Sequence, residues 1–443
     1  MAKFFGTDGI RKKVGTPPIT PLGMTHLGEA LWAWLTATVE GTPHIAVGWD
    51  TRASSGWIMH ALTAPMRARG ARIDLLGEAS TPELARYTRT SEAMLGIMIT
   101  ASHNPATDNG VKLFDGAGFK LPTDAQTWIE SLMGELTDSA FIPGDPYQVN
   151  LVEWGAPELS HYGLEAGALE GLNIVLDAAH GGGAPRAAGI LSAFGATVTS
   201  IGVEPNGVNI NDGVGATHTD ALAAKVVELG AYAGLALDGD ADRGIMVDET
   251  GAEVDGDQLI ALLATVMQDE GRLNGGGVVA TVMSNLGLER YLTGRGLTLE
   301  RTAVGDKHVV EAMRAGGYNL GGEQSGHIVL LDQTATGDGL LAGLHALAIA
   351  KADGRKFSEI SRVFEPVPQK LVNVRFEGES PMRTESVQAA MLAVGNRLGA
   401  DGRVLVRESG TEPLIRIMVE ALDEGALNAG LEELEAAVRA ALT

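Results

Sequence analysis

Arg69-Gly70-Ala71-Arg72-Ile73 closes a helix-like run and opens a strand-like one, and the same punctuation returns twice along the chain. It stands as Phe194-Gly195-Ala196-Thr197-Val198 and again as Arg295-Gly296-Leu297-Thr298-Leu299. A glycine just past a helix end is a common left-handed cap, because glycine takes positive φ without a steric penalty. Working outward, each copy sits in the same frame. Residues 45–47, 173–176 and 277–282 read as strands that precede a polar or glycine-rich turn and the capped helix. Residues 71–76, 196–201 and 297–302 read as the strands that follow it. The capping glycines lie 125 and 101 residues apart. Strand–helix–strand units recurring at that distance predict three similar α/β domains in tandem.

The remaining segments divide the chain further. Pro143-Gly144 marks a linker at 141–145, and the second unit ends near Asp255-Gly256. An apolar helix at 340–351 closes the third, and 364–369, with two prolines, links to a last domain. That domain reads as a strand at 370–376, a helix at 386–398, strands at 403–406 and 414–420, and a helix at 424–442, a small open α+β sheet. The expected organisation is therefore 1–145, 146–255, 256–364 and 365–443.

Composition limits the function. With 443 residues and 45 % hydrophobic content, the chain can bury several cores. It holds 59 glycines, well above the usual share of about 7 %. The net charge of −23 argues against nucleic acid or an anionic membrane surface as partner, since both need a basic footprint. The absence of cysteine removes disulfides, iron–sulfur clusters and thiolate chemistry. No basic start followed by an apolar run opens the chain, and the apolar stretch at 339–350 is too short for a bilayer. A cytoplasmic protein without a membrane partner is expected.

Four stretches could carry chemistry. In Gly96-Ile97-Met98-Ile99-Thr100-Ala101-Ser102-His103-Asn104-Pro105 an apolar strand runs into a loop that presents a serine on a rigid strand end, with Lys112 ten residues on. Such a lysine could neutralise a phosphate on Ser102, although the serine could also simply cap the next element. No Gly-x-Ser-x-Gly elbow surrounds it, which argues against an acyl-transfer serine. Asp238-Gly239-Asp240-Ala241-Asp242-Arg243 places three carboxylates at spacing two after a strand. Oxygen ligands at that density suit a hard cation such as Mg²⁺ or Ca²⁺. An EF-hand is set aside, because Arg243 stands where its loop needs glycine and a strand leads in. Gly321-Gly322-Glu323-Gln324-Ser325-Gly326-His327 offers donors and acceptors to a hydroxyl-rich ligand. Arg407-Glu408-Ser409-Gly410-Thr411-Glu412-Pro413, followed by Arg416, combines backbone donors, hydroxyls and arginines, a phosphate cradle that also answers the acidic net charge. Gly337-Asp338-Gly339 matches a dinucleotide fingerprint only loosely, and no Walker A pattern occurs. At the start, Gly6-Thr7-Asp8-Gly9-Ile10-Arg11 could face a ligand.

A serine, a cation site, a sugar-like loop and a phosphate cradle in four successive units point to one cleft with phosphoryl-transfer chemistry. With Phe5-Gly6-Thr7-Asp8-Gly9-Ile10-Arg11 in front, and in this order, the five motifs resemble the α-D-phosphohexomutases over essentially the whole chain. Gln324, the opening Phe4-Phe5 and the Gly410–Arg416 stretch are similar to the branch that acts on glucosamine phosphates. Lys12 and Glu408 depart from the usual pattern, and each flanks the matching residues.

The resemblance implies three related α/β domains plus a smaller, movable C-terminal domain around a central cleft. It implies Ser102 as phosphoryl carrier and Mg²⁺ held by Ser102, Asp238, Asp240 and Asp242. Lys112, Arg11, His103 and Arg243 would serve the transfer; Arg11, His103 and His327 are unranked candidates for proton handling. Glu323, Ser325 and His327 would bind the sugar, and Arg407, Ser409, Gly410, Thr411 and Arg416 the phosphate that does not react. The implied reaction interconverts glucosamine 6-phosphate and glucosamine 1-phosphate through a 1,6-bisphosphate, which also acts as activator, feeding UDP-N-acetylglucosamine synthesis. A phosphomannomutase or phosphoglucomutase is the nearest alternative, and a metal-dependent sugar phosphatase or a phosphosugar sensor the next. A monomer and a homodimer both stay open.

Overall fold

The computed structural model describes residues 4–135, 150–152, 159–409 and 413–442. Among them the strands form sheets of seven, five, four and three strands. The expected linker at 141–145 lies outside the described residues.

The first three sheets share one plan. In the first, His44–Trp49 is flanked in parallel by Arg72–Glu78 and Leu95–Ile99, and Asp108–Asp115 runs antiparallel beside Leu95–Ile99. In the second, Asn173–Asp177 lies between Thr197–Ile201 and Ala233–Leu237, with Gly244–Asp248 antiparallel beside the latter. In the third, Gly277–Thr281 lies between Thr298–Thr302 and Leu320–Gly322, with Ile328–Leu330 antiparallel. Three parallel strands and an antiparallel fourth thus recur in the same order. The central strands read as unbroken apolar runs because both faces are covered: Leu95–Ile99, Ala233–Leu237 and Gly277–Thr281 are buried along their whole length. The helices Ser55–Ala68, Ala187–Ala193 and Leu286–Gly294 end as the repeated punctuation predicts, with Gly70, Gly195 and Gly296 at φ +89°, +101° and +74°.

The helix Gly339–Asp353 packs against the second unit as well as the third. Its Leu341, Leu344 and Leu347 share a core with Leu235 and Leu237 of the second sheet and with Val278, Leu320 and Ile328 of the third. Gly339 N–H donates to the Ala241 carbonyl at 3.1 Å. A helix that is apolar all round must be covered all round, and here two sheets cover it.

The C-terminal unit is smaller. Leu414–Ala421 lies between Gln369–Arg375 and Gly402–Glu408, all antiparallel. The helices Glu385–Leu398 and Glu424–Ala440 close its core. It docks on the loop that follows Gly277–Thr281. Arg403 donates to the carbonyls of Val282 and Ser284, each at 2.9 Å, and to Glu420 at 2.7 Å. Val367 of the linker exchanges two hydrogen bonds with the Asn285 side chain, at 2.9 and 3.0 Å. Among the described residues no helix is long and apolar enough to cross a membrane.

Candidate active site

The repeated plan gives each α/β unit a loop between its third and fourth strands, beyond the carboxyl end of a parallel strand. In α/β sheets ligands bind at such ends. The three loops hold the serine, the acidic triad and the sugar-like motif, so these stretches occupy equivalent places in successive units.

The serine loop is held from behind. Ser102 adopts φ +52°, a left-handed conformation uncommon outside glycine, and is fully buried. Its carbonyl accepts from Arg52 and Asn211, both at 2.9 Å. Arg52 is in turn paired with Asp50 at 2.9 Å, and Thr100 donates to Asp50 at 2.7 Å. Neither Arg52 nor Asn211 stands in a motif. Gly239 lets the triad loop approach, since a Cβ there would sit 2.5 Å from the Ser102 carbonyl. The result is that Ser102 Oγ donates to Asp238 Oδ2 at 2.6 Å, across 136 residues of sequence.

Asp238, Asp240 and Asp242 bring their ligand oxygens within 4.8 Å of one another, and all three residues are buried. Burial, then Asp242 and Asp240, push the Asp238 carboxyl up to about 7. Asp240 Oδ1 and Asp242 Oδ1 are buried without a hydrogen-bond partner. Oxygens that are like-charged, crowded and unsatisfied fit a hard cation, which would relieve both the repulsion and the missing contacts. Thr81 steadies Asp240, donating to its Oδ2 at 2.5 Å.

Lys112 is 1 % exposed and bridges Asp240 and Asp242, each at 2.6 Å, with Asp8 at 3.2 Å. Burial disfavours its ammonium, but Asp240 and Asp242 outweigh that and hold its pKa above the usual lysine range. Arg11 and Lys120 both pair with Asp8, and Lys120 also pairs with Asp306. Burial lowers Arg11 and Lys120, with the neighbouring carboxylates opposing. Arg243 is held charged by Asp238 and Asp242 against burial.

The two histidines take different places. His103 Nδ1 lies 3.3 Å from Ser102 Oγ. Burial, then Arg243 and Arg11, lower it to about 4, so it is neutral near pH 7. His327, a candidate both for sugar binding and for proton handling, is 2 % exposed and lies 3.6 Å from Asp242 and 3.2 Å from Asp306. Burial opposes its charge, yet Asp306 and Asp242 raise it to about 9. The Gly337 N–H also points at its Nε2, at 3.0 Å, which asks that nitrogen to accept rather than donate. We take the imidazolium, because two carboxylates outweigh one backbone dipole.

A cleft of about 530 Å³ opens beside the triad loop, lined by Arg243, Asp255, Thr281, Met283, Glu323, Gln324 and Ser325 among others. Glu323 is fixed by the Gly305 N–H at 3.1 Å and the Ser325 hydroxyl at 3.2 Å. In the C-terminal unit Arg407 and Arg416 face each other directly across neighbouring strands. Burial and Arg416 lower the Arg407 pKa, and the Nε atoms of both arginines are buried without a partner. Like charges opposed this way are unfavourable until an anion joins them. The Ser409 N–H donates to the Leu414 carbonyl at 2.9 Å. Gly410 and Thr411 lie outside the described residues.

Comparison with known proteins agrees with this arrangement. Four models of the phosphoglucomutase/phosphomannomutase family match in order: α/β/α domain I at 2–139, α/β/α domain II at 157–251, α/β/α domain III at 255–367 and the C-terminal domain at 371–437. The chain is 48 % identical over 446 residues to a phosphoglucosamine mutase of Cereibacter sphaeroides, covering 99 % of both chains. It is 48 % identical over 448 residues to that of Paracoccus denitrificans, again covering 99 % of both. A crystal structure of a phosphoglucomutase/phosphomannomutase family protein from Burkholderia thailandensis has the same fold, with TM-score 0.81 at 21 % identity over 98 % of this chain and 97 % of that one.

Proposed function

The chain belongs to the phosphoglucomutase/phosphomannomutase family, and from that premise we propose that it interconverts glucosamine 6-phosphate and glucosamine 1-phosphate, with Ser102 as phosphoryl carrier. The observation that carries this reading is the pairing of Ser102 Oγ with Asp238 at 2.6 Å, inside a buried triad that Lys112 bridges. A serine held in a left-handed backbone, against carboxylates suited to a hard cation, is arranged for phosphoryl rather than acyl transfer.

In the proposed cycle Ser102 begins phosphorylated. The sugar O1 hydroxyl attacks phosphorus, its proton passes to a base, the bond to Ser102 Oγ breaks and Oγ takes up a proton. The 1,6-bisphosphate turns over in the cleft. Ser102 Oγ then gives its proton to a base and attacks the phosphorus on O6, that oxygen leaves and takes up a proton, and glucosamine 1-phosphate is released. His103 is neutral near pH 7 and 3.3 Å from Ser102 Oγ, which supports it as proton acceptor over the charged, enclosed His327. His327 instead positions Asp242. Asp238, Asp240, Asp242 and the phosphorylated Ser102 would hold Mg²⁺, which supplies Lewis-acid charge stabilisation when bound. Lys112 and Arg243 offset charge on the transferring group from fixed positions. Glu323 and Ser325 bind sugar hydroxyls, and Arg407, Ser409, Gly410, Thr411 and Arg416 hold the distal phosphate. The C-terminal unit must move while the intermediate turns, and its polar docking on the loop after Thr281 suits such a motion. A reducing cytoplasm suits a chain without cysteine.

The test is turnover of the purified protein, primed with glucose 1,6-bisphosphate, on glucosamine, glucose and mannose phosphates. Highest kcat/KM for glucosamine 6-phosphate supports the reading. Preference for mannose or glucose phosphates moves the chain to another branch, and net release of inorganic phosphate marks a phosphatase.

A further inference from the structure

The lining of the cleft is more acidic than hydroxyl recognition requires. Besides Glu323 it carries Glu253, on a short strand at the edge of the second sheet, and Asp255, at the start of the helix Gly256–Asp269, neither of them from the sugar-like loop. Asp255 is built into that loop. Gly256 N–H donates to the Gln324 carbonyl at 2.9 Å. A Cβ at Gly256 would stand 2.1 Å from the Glu323 carbonyl, so only glycine allows the backbones this close. The side chains then join: Gln324 Nε2 donates to Asp255 Oδ2 at 3.1 Å, while Asp255 Oδ1 accepts the Gln258 N–H at 3.1 Å and caps the helix Gly256–Asp269.

Two consequences follow. A carboxylate offers about four acceptor positions, so these two bonds leave Asp255, which lines the cleft, with acceptor capacity. One of the two amide hydrogens of Gln324 is committed to Asp255, which orients the side chain and leaves Oε1 as its acceptor end. Both side chains therefore present acceptors, beside Glu253 and Glu323, and the cleft wall has no cation among these residues other than Arg243. A sugar hydroxyl needs an acceptor and a donor to be fully satisfied, whereas an ammonium is donor-only and positively charged. We infer that Asp255, with Gln324 oriented by it, is a specificity-determining residue that favours a sugar carrying an ammonium over one carrying a hydroxyl at the same place. The inference rests on the reading of the cleft as a phosphosugar site.

The experiment measures kcat/KM for glucosamine 6-phosphate and glucose 6-phosphate in the full-length wild type, Asp255→Asn and Asp255→Ser, with Kd for both sugars by calorimetry. Asparagine and serine both keep a helix cap, so each variant loses the charge while retaining the capping function. The glucosamine-to-glucose ratio is expected to fall about tenfold in both variants, the size of one partly exposed charge interaction. A ratio that stays within twofold of wild type while both sugars weaken together overturns the inference and leaves Asp255 as a helix cap. The Kd ratio separates the two readings. A wild type that turns over neither sugar defeats the proposed function, while a Kd ratio that falls in the variants still upholds the role of Asp255 and one that does not overturns it.

Discussion

Replacing Arg416 with alanine should have opposite effects on binding and on stability. Arg416 and Arg407 stand on directly opposed positions of adjacent strands. In the ligand-free protein they repel, by about 0.2–1 kcal/mol for like charges in this arrangement. Neither Nε finds a partner, so the pair has no internal compensation there. When a phosphate dianion enters, each guanidinium makes charge-assisted hydrogen bonds, together worth about 1.5–3 kcal/mol per arginine. At about 1.4 kcal/mol per tenfold, Arg416→Ala should weaken glucosamine 6-phosphate binding by roughly 10- to 150-fold. The ligand-free protein should lose nothing and could gain a few tenths of a kcal/mol in unfolding free energy. Calorimetric titration and denaturant unfolding of the same preparation measure both. The substrate KM should rise more than in Asp240→Ala, whose loss should fall on kcat. A destabilised ligand-free variant with unchanged affinity would refute the reasoning, because it would make the arginines a structural pair rather than half of a site awaiting its anion.

The other predictions address the serine, the triad as a candidate metal site and the buried Asp257. Ser102→Ala should lower turnover by roughly a thousandfold or more while circular dichroism and Tm stay native, and intact mass should show no phosphate on the variant; near-normal activity would exclude the carrier role. Chelation should reduce turnover by at least about a hundredfold, with recovery on adding Mg²⁺, and activity that persists in chelator would argue against the triad as a metal site. Asp257, held up to about 7 first by burial and then by Asp255, binds a proton in the folded state that the unfolded state has already released. Stability should therefore fall as pH rises from about 4 to about 7, by at most about 4 kcal/mol from this group. Asp257→Asn should flatten that slope, and denaturation from pH 4.5 to 8 that shows equal slopes in both proteins would remove Asp257 as its source.

Much of the architecture is legible in the sequence, for a local reason. The capping glycines act on their own helix ends, and positive φ at Gly70, Gly195 and Gly296 is the signal that reveals the repeat. What the repeat does not disclose is the antiparallel fourth strand, because the pairings Leu95–Asp115, Leu237–Gly244 and Leu320–Leu330 are made by tertiary register. The site divides the same way. Ser102, the three aspartates and Glu323 lie in contiguous motifs. Arg52, Asn211, Lys120 and Asp306 read as ordinary polar residues in loops or at helix starts. Their partners are 50, 109 or 186 residues away, so only the fold gives them roles. His327 shows the converse limit, since a residue can sit in the sugar-like motif and still turn its ring inward to a triad carboxylate.

The acidic net charge and an anionic substrate are reconciled by where the cations are held. Arg11, Lys112, Lys120, Arg243 and His327 surround the triad, interleaved with Asp8 and Asp306. An array of bare cations would repel itself in this buried setting, and burial alone already lowers Lys120 and Arg11. The interleaved carboxylates keep those cations charged and fixed before any phosphate arrives. The chain Lys120–Asp306–His327–Asp242 runs from the first unit through the third to the second, so the loops are aligned by the same bonds that maintain the charge. Fixed charge acts on a transferring phosphoryl group without reorganisation at the moment of reaction, which is where electrostatic catalysis is strongest. Cutting this chain at Lys120→Met should therefore act on kcat through misplaced Asp242 and Arg11 rather than on KM for the distal phosphate. An Arg416-like rise in KM with kcat unchanged would show that the network serves binding instead.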